Sequence, residues 1–253
     1  MVRSVSRGCG EFGINRLAAL AACALLALPL GACQEGDDGE PDPARPAGTQ
    51  PEGVYRYVTE GFERIGGPLP GRLSYPRSTS ITVERFGCTL SERWDARPER
   101  YAEWRYCVTG ETWRLRSVTD YHEFFGNAQR RAYRCTGRPV PRPAGIEQGF
   151  RWTDRCRARR TTAVARGEVL GIRRLRLEGE SIPAVHLRVR TRLGGDVRGA
   201  YTMDSWLRRT DGLLLRRIFT GDSRVETIVG QVPAHEQYEL TLRTLAPVQG
   251  AEE

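Results

Sequence analysis

Lysine is absent from this 253-residue chain; all 39 basic residues are arginine. Arginine codons are GC-rich, so codon composition accounts for the exclusion. Histidine is scarce: His122, His186 and His235 are the three copies, and none stands in an HExxH or triad-like setting. No GxSxG, Walker or dinucleotide-binding pattern occurs. Carboxylates such as Asp204, Asp211 and Glu239 are scattered, and Asp211 is explained by a turn. These absences argue against an enzyme, and no cofactor is expected. The cysteines include no CxxC pair and have no histidine at ligand spacing, so no metal site is expected. There is no alternating βαβ pattern and no repeat of fixed period.

One long apolar run exists. Leu17–Leu30 spans 14 unbroken apolar residues after a basic stretch holding Arg3, Arg7 and Arg16 against Glu11. That length suits a signal-peptide core and is short for a bilayer span, and no later segment is apolar enough to cross a membrane. The run ends Leu30-Gly31-Ala32-Cys33, which resembles the bacterial lipobox. In that family a diacylglyceryl group is attached to the Cys thiol, and a dedicated peptidase then cuts before it. An ordinary secretory cut after Ala32 would instead place Leu30 where a small side chain is needed. Residues 1–32 are therefore expected to be a signal peptide, with Cys33 lipidated and the chain held at the extracytoplasmic face of the cell membrane. Two acyl chains on one Cys meet the two-signal requirement for stable anchoring. The membrane is the expected partner, and nucleic acid is not.

Residues 34–52 carry six acids against Arg45, a net −5, and are rich in Pro and Gly, as a flexible tether would be. Residues 53–253 carry 35 Arg against 24 acids, a net +11. A domain over 53–248, followed by a disordered tail at 249–253, is long enough to bury a core. Its charge suits association with lipid headgroups or anionic polymers of the envelope.

Four cysteines remain in the domain: Cys88, Cys107, Cys135 and Cys156. An even count in an oxidising compartment points to two disulfides. Three pairings exist, and the sequential one, Cys88–Cys107 and Cys135–Cys156, closes the shortest loops.

Period-two alternation predicts strands at 54–65, 80–88, 101–108, 111–116, 169–177, 182–193, 197–209, 213–220, 225–229 and 235–245. Thr210-Asp211-Gly212 reads as a hairpin turn. Asp120–Arg134 is the best helix candidate, although Gly126 interrupts it, and 137–149 reads as a loop. The expected fold is mainly β: an antiparallel curved sheet or half-barrel with one or two short helices.

Two groups of side chains suggest binding. Trp104, Tyr106, Trp113 and Trp206, with Trp94, Phe124, Phe125 and Trp152, could line an apolar pocket or simply form core. Arg188, Arg190 and Arg192, with Arg174 and Arg176 on the preceding strand, form a ladder that could grip phosphate or carboxylate through paired hydrogen bonds, or be a solvated face.

Tyr201–Arg217 (YTMDSWLRRTDGLLLRR) resembles the hairpin of LolA-like and LppX-like bacterial lipoprotein carriers. Tyr238-x-Leu240-x-Leu242 with Leu245-x-Pro247 resembles secreted lipoproteins of high-GC Gram-positive bacteria. The carrier resemblance implies a half-barrel sheet holding lipid or acyl chains, with no catalytic residues. Two roles stay open at this point: a tethered carrier of a hydrophobic or amphipathic molecule, and an envelope scaffold without a cavity. Mass spectrometry of the mature chain is expected to find a diacylglyceryl group on an N-terminal Cys33. An unmodified thiol, or a chain that begins elsewhere, would overturn the anchor.

Overall fold

A computed structural model describes residues 48, 50–66, 71–124, 126–227 and 230–248. The expected leader, Cys33, most of the tether, Phe125 and the tail lie outside the described residues, as does the side chain of Phe124.

Fourteen strands follow in chain order: β1 (Gly53–Ile65), β2 (Gly71–Ser74), β3 (Ser78–Phe86), β4 (Thr89–Arg97), β5 (Arg100–Thr109), β6 (Thr112–Phe124), β7 (Asn127–Gly137), β8 (Val140–Pro141), β9 (Arg151–Ala158), β10 (Thr161–Leu177), β11 (Glu180–Gly195), β12 (Arg198–Arg208), β13 (Leu214–Thr227) and β14 (Gly230–Leu242). Each pairs antiparallel with its neighbours, and β1 pairs with β14 from Tyr57↔Leu242 to Ile65↔Ala234. That pairing closes the sheet into a barrel of twelve strands, with β2 and β8 as short additions beside β1 and β6. The expected half-barrel is therefore corrected to a closed one. Closure leaves no long unpaired edge in the ring.

No helix occurs among the described residues. Asp120–Arg134, expected as a helix, is instead the end of β6, a turn at Gly126, and most of β7. Its inward positions Asp120, His122, Gln129 and Arg131 are polar and face the upper mouth of the barrel, so no apolar alternation marked them as strand. The Thr210-Asp211-Gly212 turn stands as expected: Leu213 N–H donates to Asp211 Oδ1 at 3.1 Å, and Gly212 takes a φ of 87°.

Alternation sorts the side chains. Tyr55, Tyr57, Thr59 and Glu63 on β1 point in and are buried, while Arg56, Val58, Glu60 and Arg64 are exposed. Outside, charges such as Arg134, Arg155, Arg157, Arg166 and Arg190 occupy mid-strand positions. A bilayer-spanning barrel carries an apolar outer band; the outer face of this barrel carries charges within its strands instead.

Both expected disulfides form, Cys88–Cys107 and Cys135–Cys156. They brace the wall differently. Cys107 lies in a long β4–β5 ladder. The β7–β9 ladder, by contrast, consists only of Arg134–Gly137 against Asp154–Arg157, and Cys135 faces Cys156 directly within it. Below this seam, residues 142–150 fill the gap left by β7. Ile146 packs there against Val169 and Val185. Trp152 lies across Gly167, where a Cβ would stand 2.1 Å from the indole. Replacing Cys135 and Cys156 by Ser is expected to cost about 3 kcal/mol from loop closure. Amide exchange should then rise first at 134–137 and 154–157. The Cys88, Cys107 double Ser variant should leave exchange at that seam unchanged.

Candidate functional site

The interior is divided by buried charges that reach across the barrel. Arg217 on β13, 3% exposed, places Nη2 3.8 Å from Glu92 Oε2 on β4 and Nε 3.4 Å from Ser205 Oγ on β12. Its guanidinium lies 4.3 Å from the ring centroid of Trp104 on β5. Burial pushes the Glu92 carboxyl up, and Arg217 pulls it back.

A second set bridges higher up. Arg100, at the start of β5, reaches Glu63 on β1 at 3.1 Å, Glu236 on β14 at 3.1 Å and Asp120 on β6 at 2.9 Å. The Tyr75 hydroxyl lies 2.6 Å from Glu63 and 2.5 Å from Glu236, and Arg97 pairs with Glu63 at 3.0 Å. His122 Nε2 stands 3.1 Å from Asp120. Burial alone would raise the Asp120 carboxyl, but His122, Arg100 and Arg131 hold it well below the usual carboxylate range. Buried charges of this kind persist because each has opposite charge and hydrogen bonds around it.

These bridges join β4–β6 to β13, β14 and β1 and leave two unequal compartments. The smaller, under β3, β1 and β14, is packed: Tyr55, Tyr57, Ile81, Val83, Leu90, Trp94, Leu240 and Leu242 are all at most 2% exposed. Tyr57 donates from its hydroxyl to the Leu214 carbonyl at 2.8 Å, Trp94 packs tilted against Tyr238, and Tyr238 stacks on Phe219.

The larger compartment, under β6–β12, contains a cavity of about 280 Å³. Leu115, Val118, Tyr133, Leu187, Val189 and Met203 line it, and the small side chains of Ala163 and Ala165 leave room along β10. The dividing charges Glu92, Arg100 and Arg217 form its far side. Asp154 on β9 also lines it, without an ion pair among the described residues. Burial pushes this carboxyl up to about 6, against a partial pull from a Trp152 hydrogen bond.

Of the aromatic residues singled out from sequence, Trp104, Tyr106 and Trp113 line the cavity together. Trp206 does not. It lies on the outer face, stacked on His186 with centroids 4.2 Å apart. Of the arginine ladder, Arg188, Arg190 and Arg192 share the outer face of β11, but Arg188 is tied to Asp204 at 2.9 Å. Arg174 bonds Ser181, and it lies with Arg176 beyond a register shift at Val169/Gly171, near the β10–β11 turn. The structure thus separates those two from the rest. His186 is bound to Asp204 at 2.8 Å. Among the described residues no group of His, Cys, Asp and Glu could hold a metal ion.

Sequence reasoning missed Glu63, Glu92, Arg100, Asp154 and Arg217. A signal was present in two of them. Glu92 interrupts the inward set Leu90-x-Glu92-x-Trp94, and Arg217 interrupts Leu215-x-Arg217-x-Phe219. A charge in register with apolar residues has to find a buried partner.

No family model and no curated protein matches the chain. Among solved structures, the hypothetical lipoprotein YmcC from Escherichia coli (K12) is similar with a TM-score of 0.35 and 13% identity, over 76% of this chain and 86% of that one. A likeness of that degree carries no argument about function.

Asp154 offers a check on the cavity's polarity. A carboxyl raised on folding costs nothing where both states are protonated; the cost sets in as pH passes its unfolded value and is complete above its folded one. Asp154→Asn is expected to stabilise the fold by on the order of 1 kcal/mol near about pH 8, with the gain fading as pH falls through 6 towards 4. Thermal melts across pH measure it; a gain independent of pH would place the ionised carboxyl in water.

Proposed function

We propose that this protein is a membrane-tethered, extracytoplasmic binder of a hydrophobic or amphipathic molecule, held in the open compartment of its barrel. The observation that carries this reading is the cavity of about 280 Å³, next to a compartment that the same chain packs tightly. An unfilled volume of that size costs contacts on every wall, and a ligand would restore them. Its size is near the lower end for ligand pockets, which suits a slender molecule.

The lining fits an amphipath. Leu115, Val118, Leu187, Val189 and Met203 accept an apolar body, while Gln129, Arg131 and His122 offer polar groups nearer the upper turns. The carboxylates of the dividing network are held by Arg97, Arg100 and Arg217, so the arrangement favours binding over catalysis. Tethering rests on the Cys33 motif, and the disulfides agree with an oxidising location.

The protein purified from its own type of host and extracted with organic solvent is expected to release one amphipathic molecule per chain. Ala165→Leu, which fills the cavity from β10, should reduce that yield at least tenfold while leaving Cys33 acylated and the thermal midpoint no lower. A chain that returns bare from its host, with no fluorescence response to added fatty acid, would favour the scaffold role instead.

A further inference from the structure

The outer wall formed by β7, β9, β10 and β11 exposes many arginines, and six of them cluster: Arg134, Arg155, Arg157, Arg166, Arg190 and Arg192. The register sets two pairs directly against each other. Arg134 faces Arg157 across the β7–β9 seam, and Arg166 faces Arg190 across the β10–β11 ladder. Like charges directly opposite destabilise an antiparallel pair. None of the six has an ion pair or a side-chain hydrogen bond among the described residues. The neighbouring acids are engaged at the margin instead: Glu168 with Arg151, Asp204 with Arg188, Asp196 with Arg160. The centre of the wall is left as a field of unmatched guanidinium groups. Elsewhere on the sheet some charges are paired, as Arg216 is with Glu239 and Arg93 with Asp95, and facing arginines occur singly, as Arg64 with Arg72 and Arg198 with Arg224; on this wall two such pairs stand close together.

We propose that this wall binds a linear polyanion, a polymer bearing phosphate or carboxylate groups. Direct and diagonal neighbours on an antiparallel sheet stand about 5 to 8 Å apart, so successive anions of an extended chain can each meet a guanidinium, which grips such groups in pairs of hydrogen bonds. Between the arginines the outward residues are small: Thr136, Thr153, Thr162 and Val164. Of the exposed large apolar residues, Val58, Leu73, Phe86 and Val248 lie off these strands, and Ile172 lies on β10 beyond the Val169/Gly171 register shift, so the arginine field itself lacks the apolar anchors of a bilayer-inserting face. The chain enters the barrel at its lower end, where Gln50 packs beside Leu90, Val108 and Trp113. Arg155, Arg157, Arg166, Arg190 and Arg192 lie towards the upper turns at 159–160 and 195–198. This site is independent of the interior cavity; only the polymer's place in the cell envelope rests on the export reading.

The test uses the full mature protein in detergent with four probes: long-chain inorganic polyphosphate, polygalacturonate, phosphatidylglycerol-containing vesicles and phosphatidylcholine vesicles. Binding to one or both polymers, weakening as salt rises, is expected. Polyphosphate alone would mark the natural groups as phosphates, and polygalacturonate alone as carboxylates. Arg166→Glu should weaken polymer binding at least tenfold and raise the thermal midpoint, because the introduced carboxylate would face Arg190. Arg56→Glu, the same charge change on the exposed face of β1, should alter binding less than twofold. The double variant Arg166→Glu, Arg190→Glu should return the midpoint towards that of the parent while binding stays lost. Equal loss in the Arg166 and Arg56 variants, no polymer binding, or capture by anionic vesicles in preference to both polymers would each overturn the proposal.

Discussion

A ring of twelve strands is too wide for the side chains of its own wall to fill. Eight strands give an interior that side chains just occupy, and this chain closes four more. The lumen must therefore be pinched, hollow or filled by something else. Here it is pinched off-centre. Arg217 with Glu92, and Arg100 with Glu63, Glu236 and Asp120, draw facing walls together. On one side of that line the distance suits Tyr, Trp and Leu, and they fill it. On the other side Ala163 and Ala165 hold space open. The buried charges would be a liability anywhere they were unpaired. Set between the two compartments, they fix which half is solid.

The same division explains what could be read from sequence. The antiparallel β class and the disulfide pairs were legible, and so were β11, β12 and β14, which alternate apolar and polar residues regularly, whereas β13 read as two strands and β10 only from 169 onward. The barrel's closure was not, since a β1–β14 pairing joins the two ends of the domain and leaves no local mark. β6 and β7 were illegible around Gly126 because their inward residues serve a polar mouth, and β4 was obscured by Glu92 in an inward position. Three of the four aromatic residues singled out do meet in the cavity; Trp206 sits one position out of phase with inward Ser205 and Leu207, so it emerges on the opposite face.

Arginine's monopoly of the positive charge has different effects inside and out. Inside, a planar cation with several donors can hold three carboxylates at once, as Arg100 does. On the β7–β11 face the same residue type stands in facing pairs, Arg134 with Arg157 and Arg166 with Arg190, whose like charges cost stability. The two settings are independent in space, so interior and exterior can change separately.

The short β7–β9 seam has a consequence for where the molecule can mature. Its ladder is brief, and the covalent link between Cys135 and Cys156 crosses it at facing positions. In a reducing cytoplasm that link does not persist, and the hollow side of the ring is held there by a few backbone hydrogen bonds. The reduced chain is thus the more easily parted form. Sealing of this part of the wall depends on an oxidising surrounding, so the ring's integrity follows the redox state around it.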